Sequence, residues 1–495
     1  MPGFILSIDQ GTTGSTVVLC STDGDVIARA SREFPQHFPE PGWVEHEPAD
    51  ILESVKGAIH EVLEKSGLKA SDCLAVGITN QRETAVVWDR RTGEPIHRAI
   101  VWQDRRTARR CRELEEAGHL NEIRRRTGLV LDPYFSATKV EWLLRNLPNA
   151  KRLADEGHLA FGTIDSFLVY KLSGGKAHIT DATNASRTLL YDLHKGDFDD
   201  SLCEIFGVPA SMLPEVRSSS EVYAKTEGFA PLPDGIPIAG IAGDQQAALF
   251  GQMCFQVGDA KCTYGTGAFM LENIGDAPIP SANGLLTTVA WRMKGRDTFA
   301  LEGSAFVAGA AVQWLRDGLG ILRESAEIER LAREVEDAGG VLFVPSLTGL
   351  GAPHWDPEAR GLITGVTRGT TRAHLCRATL DGIAFQIADL GNAMAADSGH
   401  RIQRLRVDGG ASANDLLMEI QADLLGVPID RPKNLETTAL GAAFLAGLAV
   451  GVFSDLDSLQ KAYAIDRQFS PRIRTAEREA RLIAWRDAVT RARTR

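Results

Sequence analysis

Cysteine is scarce in this sequence. The 495 residues include 7 cysteines, an odd number, and no two of them form a Cys-x-x-Cys motif. A disulfide framework and a zinc site built on paired cysteines are therefore excluded. The N-terminal apolar run, residues 4–8, is interrupted at once by Asp9. We therefore expect no secretory signal peptide and a cytoplasmic protein.

Long hydrophobic runs are also missing. One continuous apolar stretch covers residues 439–453, whereas a membrane-spanning helix needs about 20 such residues. The stretch is dominated by alanine and glycine and contains Gly447-x-x-x-Gly451, a spacing that lets two helices approach closely. It predicts a buried helix packed against a neighbour and not a membrane span.

An excess of positive charge is absent. The chain has 54 lysines and arginines against 65 aspartates and glutamates, which gives a net charge of −11. This balance argues against a nucleic acid as partner. Arginines do cluster between residues 105 and 126, but glutamates follow at helical spacing, as in Arg109–Glu113 and Arg112–Glu116. We interpret the cluster as the solvated, salt-bridged face of helices.

The two common nucleotide-binding motifs are absent as well. The sequence contains neither G-x-x-x-x-G-K-[ST] nor a G-x-G-x-x-G that follows a predicted strand. If this chain binds nucleotide phosphates, it therefore does so through another backbone geometry.

The length of the chain predicts two domains, because 495 residues exceed what one hydrophobic core supports. Strand and helix patterns alternate in both halves, and each half opens on a β-hairpin. We therefore expect an α/β fold, with an N-terminal domain at residues 1–250 and a C-terminal domain at residues 251–495.

Both opening hairpins turn at Gly-Thr. The first turn, at residues 9–13, reads Asp-Gln-Gly-Thr-Thr, and the second, at residues 264–267, reads Tyr-Gly-Thr-Gly. Such turns let backbone N–H groups converge on an anion, and threonine adds a hydroxyl donor. A plain hairpin is the alternative for either turn alone. Asp9 favours phosphate binding, because bound phosphates bring Mg²⁺, which takes carboxylate ligands.

Two further turns lead from a predicted strand into a helix. Asp-Gly-Gly at residues 408–410 opens a helix at 415–425, where a close backbone approach and the helix N-terminus favour an anionic ligand. Gly243-Asp244 follows an apolar strand. Asp244 is there either a catalytic carboxylate at the end of a strand or an N-cap.

Polar and aromatic residues also stand beside apolar runs. Arg82 and Glu83 separate two such runs, which together predict a strand–turn–strand. A guanidinium donates and a carboxylate accepts, so the pair suits neighbouring hydroxyl groups, while an ordinary hairpin ion pair is the alternative. Trp102 and Tyr134 are either core residues or an aromatic wall against ligand C–H groups.

These motifs, in this order, resemble the FGGY carbohydrate kinases of the sugar-kinase, chaperone and actin ATPase superfamily. The resemblance runs almost continuously from residue 4 to about residue 453, and within the family it is strongest to members that phosphorylate glycerol. The matching segments lie at residues 9–13, 41–46, 80–84, 243–252, 263–267, 349–353, 407–411 and 438–443.

The resemblance implies two ribonuclease-H-like domains of the actin-like ATPase kind, flanking a catalytic cleft. Asp9 matches the carboxylate near Mg²⁺, and Asp244 matches the catalytic base. The positions matching the family's substrate-binding residues are Arg82, Glu83, Trp102, Tyr134, Asp244, Gln245 and Phe269. Those matching its nucleotide-binding residues are Thr12, Thr13, Gly14, Thr16, Thr266, Gly309, Gln313, Gly410 and Asn414.

The activity so implied is the phosphorylation of glycerol to sn-glycerol 3-phosphate, with ATP and Mg²⁺. A kinase for another polyol or ketose would share the nucleotide half but differ at residues such as Arg82, Glu83 and Trp102. A nucleotide switch without enzymatic activity would keep the phosphate hairpins and lack a polyol pocket. A homodimer or homotetramer is an association that the sequence leaves open.

The chain departs from its apparent relatives at two places. Some of them bind the inhibitor fructose 1,6-bisphosphate at one loop. Others carry a histidine in that loop, which is phosphorylated. The corresponding loop here, residues 224–235, has one lysine, no arginine and no histidine, so we expect neither control. Thr16 stands where many relatives have an arginine, which puts one phosphate contact in doubt.

Overall fold

Two mixed β-sheets, one in each half of the chain, carry the fold. The computed structural model describes residues 3–461 and 463–494. The N-terminal half forms a six-stranded sheet and the C-terminal half a seven-stranded sheet, with helices packed against both. The predicted α/β class is therefore confirmed.

The elements of the N-terminal half are numbered in chain order. Its strands are β1 (Phe4–Gln10), β2 (Gly14–Ser21), β3 (Val26–Glu33), β4 (Glu45–His46), β5 (Cys73–Asn80), β6 (Val86–Asp89), β7 (Ala99–Ile100), β8 (Leu159–Gly162), β9 (Ile179–Asp181), β10 (Tyr191–Asp192), β11 (Asp197–Phe198), β12 (Glu215–Arg217), β13 (Ser220–Lys225) and β14 (Pro237–Gly243). Its helices are α1 (Pro48–Ser66), α2 (Ala108–Glu116), α3 (Leu120–Thr127), α4 (Ser136–Asn146), α5 (Ala150–Asp155), α6 (Ile164–Leu172), α7 (Ala182–Ala185), α8 (Asp200–Phe206) and α9 (Asp244–Gly251).

The C-terminal half continues the numbering. Its strands are β15 (Ala260–Tyr264), β16 (Ala268–Gly275), β17 (Leu286–Met293), β18 (Arg296–Ala305), β19 (Leu342–Val344), β20 (Leu362–Thr364), β21 (Leu405–Asp408), β22 (Ile429–Pro432) and β23 (Ile465–Phe469). Its helices are α10 (Gly309–Gln313), α11 (Glu327–Ala332), α12 (Arg372–Ser398), α13 (Asp415–Leu425), α14 (Thr437–Ala449), α15 (Leu456–Gln460) and α16 (Thr475–Ala492).

The two sheets repeat one topology. The first has the order β13-β14-β5-β1-β2-β3 and the second β17-β18-β16-β15-β21-β22-β23. In both, an antiparallel hairpin (β1–β2 or β15–β16) is followed by two strands parallel to its first member (β5 and β14, or β21 and β22). The predicted Gly-Thr hairpins therefore occupy equivalent positions in the two halves.

Both Gly-Thr turns are tight. The Gly11 N–H donates to the Gly14 carbonyl over 2.9 Å, and the Gly265 N–H donates to the Gly267 carbonyl over 2.8 Å. These bonds close the loops between the paired strands, so the predicted hairpins are confirmed.

The predicted strand–turn–strand around Arg82 and Glu83 is confirmed, since these residues lie between β5 and β6. The two strands do not pair with each other, because β5 lies inside the first sheet while β6 pairs with β8. One local interpretation of the sequence was wrong. Arg106 does not lie on a solvated helix face. It is buried, pairs with Glu45 and Asp104 at 2.8 Å, and its guanidinium lies 3.7 Å from the centre of the Trp43 ring.

The predicted apolar helix is α14, which ends at Ala449 and lies against the first sheet. Its backbone approaches that sheet closely, since a Cβ atom at Gly77 of β5 or at Gly240 of β14 would overlap α14 backbone atoms. α14 also crosses α9, where a Cβ at Gly441 would overlap the Ala247 carbonyl oxygen. Among the described residues, no helix is both long and apolar enough to traverse a bilayer.

The α9–α14 crossing predicts an unusual response to alanine. In an isolated helix, Gly→Ala stabilises by about 1 kcal/mol, but at Gly441 the added methyl group meets backbone that cannot repack. We expect Gly441→Ala to lower the free energy of unfolding by about 1–3 kcal/mol, the usual cost of overpacking. Denaturant titration measures the effect.

Gly369→Ala is the matched control, because the nearest atom to its added Cβ would be the Thr367 hydroxyl oxygen, 3.8 Å away. Equal stabilities for the two variants would contradict a tight crossing.

Candidate functional site

The candidate site lies at the carboxyl ends of neighbouring strands in the first sheet. Asp9 near the end of β1 is in register with Thr79 of β5, and Gly243 at the end of β14 is in register with Asn80. The polar residues that follow these strands are therefore brought to one edge of the sheet. In open α/β sheets this edge is where ligands bind.

Asp244 is the first residue of α9 and does not act as its N-cap, a position that Gly243 occupies. Its Oδ1 accepts a hydrogen bond from the Gln245 N–H over 2.7 Å and lies 3.1 Å from Arg82 Nε. The Asp244 side chain is 33% exposed, while Arg82 is buried. The carboxylate is thus oriented from behind by a buried cation and open to solvent in front.

Arg82 links the two halves of the chain. Its Nη1 and Nη2 atoms donate to the two carboxylate oxygens of Glu302 in β18, over 2.5 and 3.0 Å. Nη1 also donates to Gln246 over 3.1 Å, and Nη2 lies 3.5 Å from the Tyr134 hydroxyl. A bidentate contact of this kind fixes the plane of the guanidinium group.

Four buried side chains of alternating charge form a closed ion-pair square. Arg187 Nε donates to Glu83 over 2.7 Å and Arg187 Nη2 donates to Glu302 over 2.9 Å, while Arg82 contacts Glu302 and lies 3.9 Å from Glu83. Burial alone would raise the pKa of Glu302, but Arg187 and Arg82 lower it to about 2. Glu302 therefore stays ionised between the two guanidinium groups.

Sequence reasoning missed Arg187 and Glu302. Their partners are more than 100 residues away in the chain, at separations of 104, 115 and 220. One signal was available for Glu302, since it is the one charged residue in the otherwise apolar segment 299–303 of β18. A charge within such a run indicates a buried partner.

Two of the three predicted aromatic residues contact each other beside Arg82. The Trp102 and Tyr134 rings meet edge to face with centroids 5.6 Å apart, and Trp102 Nε1 donates to the Thr12 hydroxyl over 2.9 Å. Both residues are partly exposed, and Tyr134 also packs against a cluster of buried apolar residues. Burial and the Glu83 charge raise the pKa of Tyr134, which keeps its hydroxyl protonated.

Phe269 comes from the second sheet. It pairs in register with Thr263 of β15 and Ser304 of β18. Paired residues in antiparallel strands project to the same face, and alternate residues share it. Phe269 therefore lies on the same face as Glu302, the face that meets Arg82.

The first Gly-Thr turn is held from behind by a buried polar network. The Gly11 carbonyl accepts from Gln81 over 3.2 Å, and the Thr12 carbonyl accepts from Gln36 over 3.0 Å. His46 joins the two amides, because its Nε2 contacts Gln36 Oε1 at 2.7 Å and its Nδ1 contacts Gln81 Nε2 at 3.3 Å. The Gly11 and Thr12 carbonyl oxygens thus already accept hydrogen bonds from within the protein.

This network requires a neutral imidazole. His46 Nε2 must donate to the Gln36 oxygen, and Nδ1 must accept from the Gln81 amide, a combination that only the neutral ring provides. Burial, with a smaller contribution from His37, lowers the pKa of His46 from 6.5 to about 4.

The remaining predicted positions in the first hairpin differ in their surroundings. Thr13 is exposed at the turn. Gly14 lies against β3, where a Cβ would be 2.7 Å from the Arg32 carbonyl oxygen, so this glycine has a packing reason of its own. The Thr16 hydroxyl is 2.8 Å from that of Ser31 in β3 and is therefore already engaged within the sheet.

The second Gly-Thr turn is supported by α10. Thr266 is exposed, and its carbonyl accepts from the backbone of Ala308 and Ala310. Gly309 N–H donates to the Gly265 carbonyl over 3.0 Å, and a Cβ at Gly309 would be 2.6 Å from that oxygen. Gln313, the last residue of α10, is exposed.

The turn after β21 leaves Gly410 open. No atom lies within 4 Å of a Cβ built there, whereas the neighbouring Gly409 is packed against Tyr264. Asn414 is the N-cap of α13, because its Oδ1 accepts from the Leu417 N–H over 2.9 Å. Its amide nitrogen is therefore not needed for the cap.

Asp9 stands in an acidic environment. Burial, Asp244 and Glu436 together raise the pKa of Asp9 to about 8. A bound cation would offset the negative charge of this environment. Within residues 3–461 and 463–494, however, no group of three or more His, Cys, Asp or Glu side chains is arranged to hold a metal ion on its own. A cation there would need further ligands from substrate or water.

Comparison with known proteins gives consistent matches along the chain. Models of the FGGY family of carbohydrate kinases match residues 4–251 (N-terminal domain) and 260–450 (C-terminal domain). The glycerol kinase of Alkalilimnicola ehrlichii is 56% identical over 488 residues, covering 99% of this chain and 98% of that protein. The glycerol kinase of Deinococcus radiodurans is 56% identical over 490 residues, covering 99% and 97%.

A solved structure is also similar. The crystal structure of Plasmodium falciparum glycerol kinase with ADP has a TM-score of 0.93 and 36% sequence identity, covering 99% of this chain and 98% of that one. The predicted fold, two domains of the actin-like ATPase kind, is thereby confirmed.

The ion-pair square predicts a large effect of a small change. Glu302→Gln keeps the shape of the side chain but removes the negative charge that both Arg82 and Arg187 contact. Breaking a buried pair typically costs about 3–5 kcal/mol, and we expect a loss of that size in the free energy of unfolding, measured by denaturant titration. Glu358→Gln, at a 71% exposed side chain, is the control. A loss below about 1 kcal/mol, as for a surface pair, would contradict the role given to the square.

His46 predicts a dependence of stability on pH. Its pKa in the folded state lies below the 6.5 of a free histidine, so its contribution is complete above pH 6.5 and is lost as the pH falls through 4. The difference corresponds to about 3 kcal/mol. We expect His46→Gln to flatten the rise of unfolding free energy between pH 4 and 6.5. His60→Gln, on the exposed side of α1, should leave the slope unchanged; an equal slope in His46→Gln would refute the assignment.

Proposed function

The chain belongs to the FGGY family of carbohydrate kinases, and from this premise we propose that it transfers the terminal phosphoryl group of ATP to glycerol, forming sn-glycerol 3-phosphate. Relatives named glycerol kinase match it over nearly its whole length. The observation that carries the proposal is the pair formed by buried Arg82 and part-exposed Asp244, at the sheet edge where both halves of the chain meet.

Asp244 is the general base. Its carboxylate is held at 3.1 Å by Arg82 Nε and by the Gln245 N–H, so it has a fixed orientation while one face stays accessible. It accepts the proton of the attacking primary hydroxyl as that oxygen bonds to phosphorus. Phosphoryl transfer needs positioning and charge neutralisation more than covalent chemistry, and one positioned base fits that need.

Arg82, Glu83, Gln245 and Tyr134 bind the hydroxyl groups of glycerol. The contact from Arg82 Nη2 to the Tyr134 hydroxyl is long, at 3.5 Å. One N–H group of Nη2 is therefore available to a substrate oxygen. Glu83 Oε1 accepts from Arg187, and among the described residues no hydrogen bond reaches its Oε2. Donor and acceptor therefore stand side by side, the arrangement that vicinal hydroxyl groups require.

Trp102 and Phe269 cover the carbon skeleton. Trp102 is fixed by its bond to Thr12 and by the Tyr134 ring, and Phe269 comes from the other half of the chain on the face that bears Glu302. An aromatic wall on each side limits the room for a longer sugar and so favours a three-carbon polyol.

The two Gly-Thr turns hold the phosphates of ATP. Thr12, Thr13 and the backbone at Gly14 act from the first hairpin and Thr266 from the second, with Thr16 as a weaker candidate. Gly309, Gln313, Gly410 and Asn414 bind the rest of the nucleotide, and the open space at Gly410 supports this assignment.

The acidic environment of Asp9 fits Mg²⁺. Asp9 would hold the ion, directly or through water, with phosphate oxygens completing its ligands, as is usual for Mg²⁺ at nucleotide sites. When bound, the ion offsets negative charge on the transferred phosphoryl group. The residues of both halves exclude water, the competing nucleophile, when the substrates bring them together.

A cytoplasmic location also belongs to this proposal. The seven cysteines, Cys20, Cys73, Cys111, Cys203, Cys254, Cys262 and Cys376, are all free and buried. Free thiols are usual in a reducing compartment, which also supplies ATP.

The test is ADP release with ATP, Mg²⁺ and a panel of polyols and ketoses. Glycerol should give the highest kcat/KM, and a ketose in that place would favour another member of the family. We expect Asp244→Asn to lower kcat by about 10²–10⁴-fold, the usual contribution of a positioned general base. The amide is nearly isosteric, so the fold and nucleotide binding should remain.

Asp155→Asn, on the exposed helix α5, serves as the control. Near-normal turnover by folded Asp244→Asn protein would remove Asp244 from the role of base.

A further inference from the structure

We propose that Lys261 is a positioning residue that sets which end of the Gln245 amide faces the substrate. Lys261 belongs to β15 in the second sheet and is completely buried. Its Nζ atom donates to Gln245 Oε1 over 2.5 Å and to the Thr263 hydroxyl over 2.9 Å. The inference rests on the proposed function, in which Gln245 binds glycerol.

The bond from Lys261 decides the orientation of the amide. A glutamine side chain has one acceptor atom, Oε1, and one donor group, the Nε2 amide. With Oε1 held by Lys261, Nε2 has no hydrogen-bond acceptor among the described residues. The two N–H donors of buried Gln245 therefore remain available to a ligand, and in the proposed function they recognise a lone pair on a glycerol oxygen. Without Lys261, the amide is free to turn and present its oxygen instead.

The bond from Lys261 to the Thr263 hydroxyl links the orientation of the Gln245 amide to the half of the chain that carries the second Gly-Thr turn. Thr263 precedes the second Gly-Thr turn, and Gln245 follows Asp244 directly in α9. One Nζ atom therefore connects a substrate ligand in the first half with the strand that carries a phosphate turn in the second.

The charges around Lys261 fit this role. Asp408 and Asp244 attract its charge, Arg82 repels it, and burial lowers its pKa. Both the ammonium and the neutral amine carry N–H groups, so the two bonds persist in either form. The positioning role therefore does not depend on the protonation state of Lys261.

The experiment is a double-mutant cycle on the full chain, read as KM for glycerol. Lys261→Met, Gln245→Ala and the double variant are compared with wild type in the ADP-release assay. We expect Lys261→Met to raise the KM for glycerol about tenfold, the loss of one hydrogen bond to a hydroxyl group, with less change in the KM for ATP. The double variant should be no worse than Gln245→Ala, because Lys261 acts through Gln245.

Gln245→Glu is the second variant, in case Lys261→Met does not fold. It keeps an acceptor for Lys261 and removes the Nε2 donors, so the KM for glycerol should again rise about tenfold. Lys151→Met, on the exposed face of α5, is the surface control and should match wild type.

Three results would overturn the inference. These are an unchanged KM for glycerol in folded Lys261→Met, an unchanged KM in Gln245→Glu, and independent, multiplying effects in the double variant. Absence of glycerol-dependent ADP release in wild type would instead overturn the proposed function, so the two failures are distinguishable.

Discussion

The carboxylate of Glu302 is held by two guanidinium groups from the other half of the chain, and the candidate site depends on this contact. Arg82 contacts the Asp244 carboxylate and Arg187 contacts Glu83, so one buried acid holds the partners of both carboxylates. Four charges out of water are costly individually. In this alternating square each charged group lies within 3.9 Å of two groups of opposite charge. The square thereby fixes the position of the reacting groups where the two sheets meet.

The repeated topology explains why a site of this kind forms between the halves. Each sheet contributes an equivalent hairpin turn and an equivalent strand end, and the two halves meet where Arg82 and Arg187 contact Glu302. The two halves differ in the functional side chains that the repeated topology carries. The first half supplies Arg82, Glu83, Asp244 and Gln245. The second half supplies Glu302, which contacts Arg82, and Lys261, which contacts Gln245. Neither half has a complete site alone.

Local patterns sufficed for the elements and for part of the site. The hairpins, α14 and the position of Asp244 at a strand end follow from alternation, glycine and apolar runs, which act over a few residues. Glu302 and Arg187 were missed because their partners lie more than 100 residues away in the sequence, and no local pattern records such pairs. The partners of Lys261 and His46 are nearer, Gln245 at a separation of 16 and Gln36 at a separation of 10, but only the fold brings these side chains together. Arg106 was misplaced for the opposite reason. Helical spacing to glutamates indicated a solvated face, but the aromatic rings that bury it come from other segments.

The position of α14 also constrains how the chain is made. This helix lies in the last eighth of the sequence, yet it covers β1, β5 and β14, and its carbonyls accept from Ser7 and Ser220 over 2.6 and 2.7 Å. During synthesis the first sheet therefore emerges with one face uncovered. That face is buried only after the chain has been synthesised as far as residue 449. Some 200 residues of C-terminal sequence must leave the ribosome in the meantime. The nascent N-terminal half thus exposes apolar strands throughout that interval, and such exposure favours aggregation until α14 has docked.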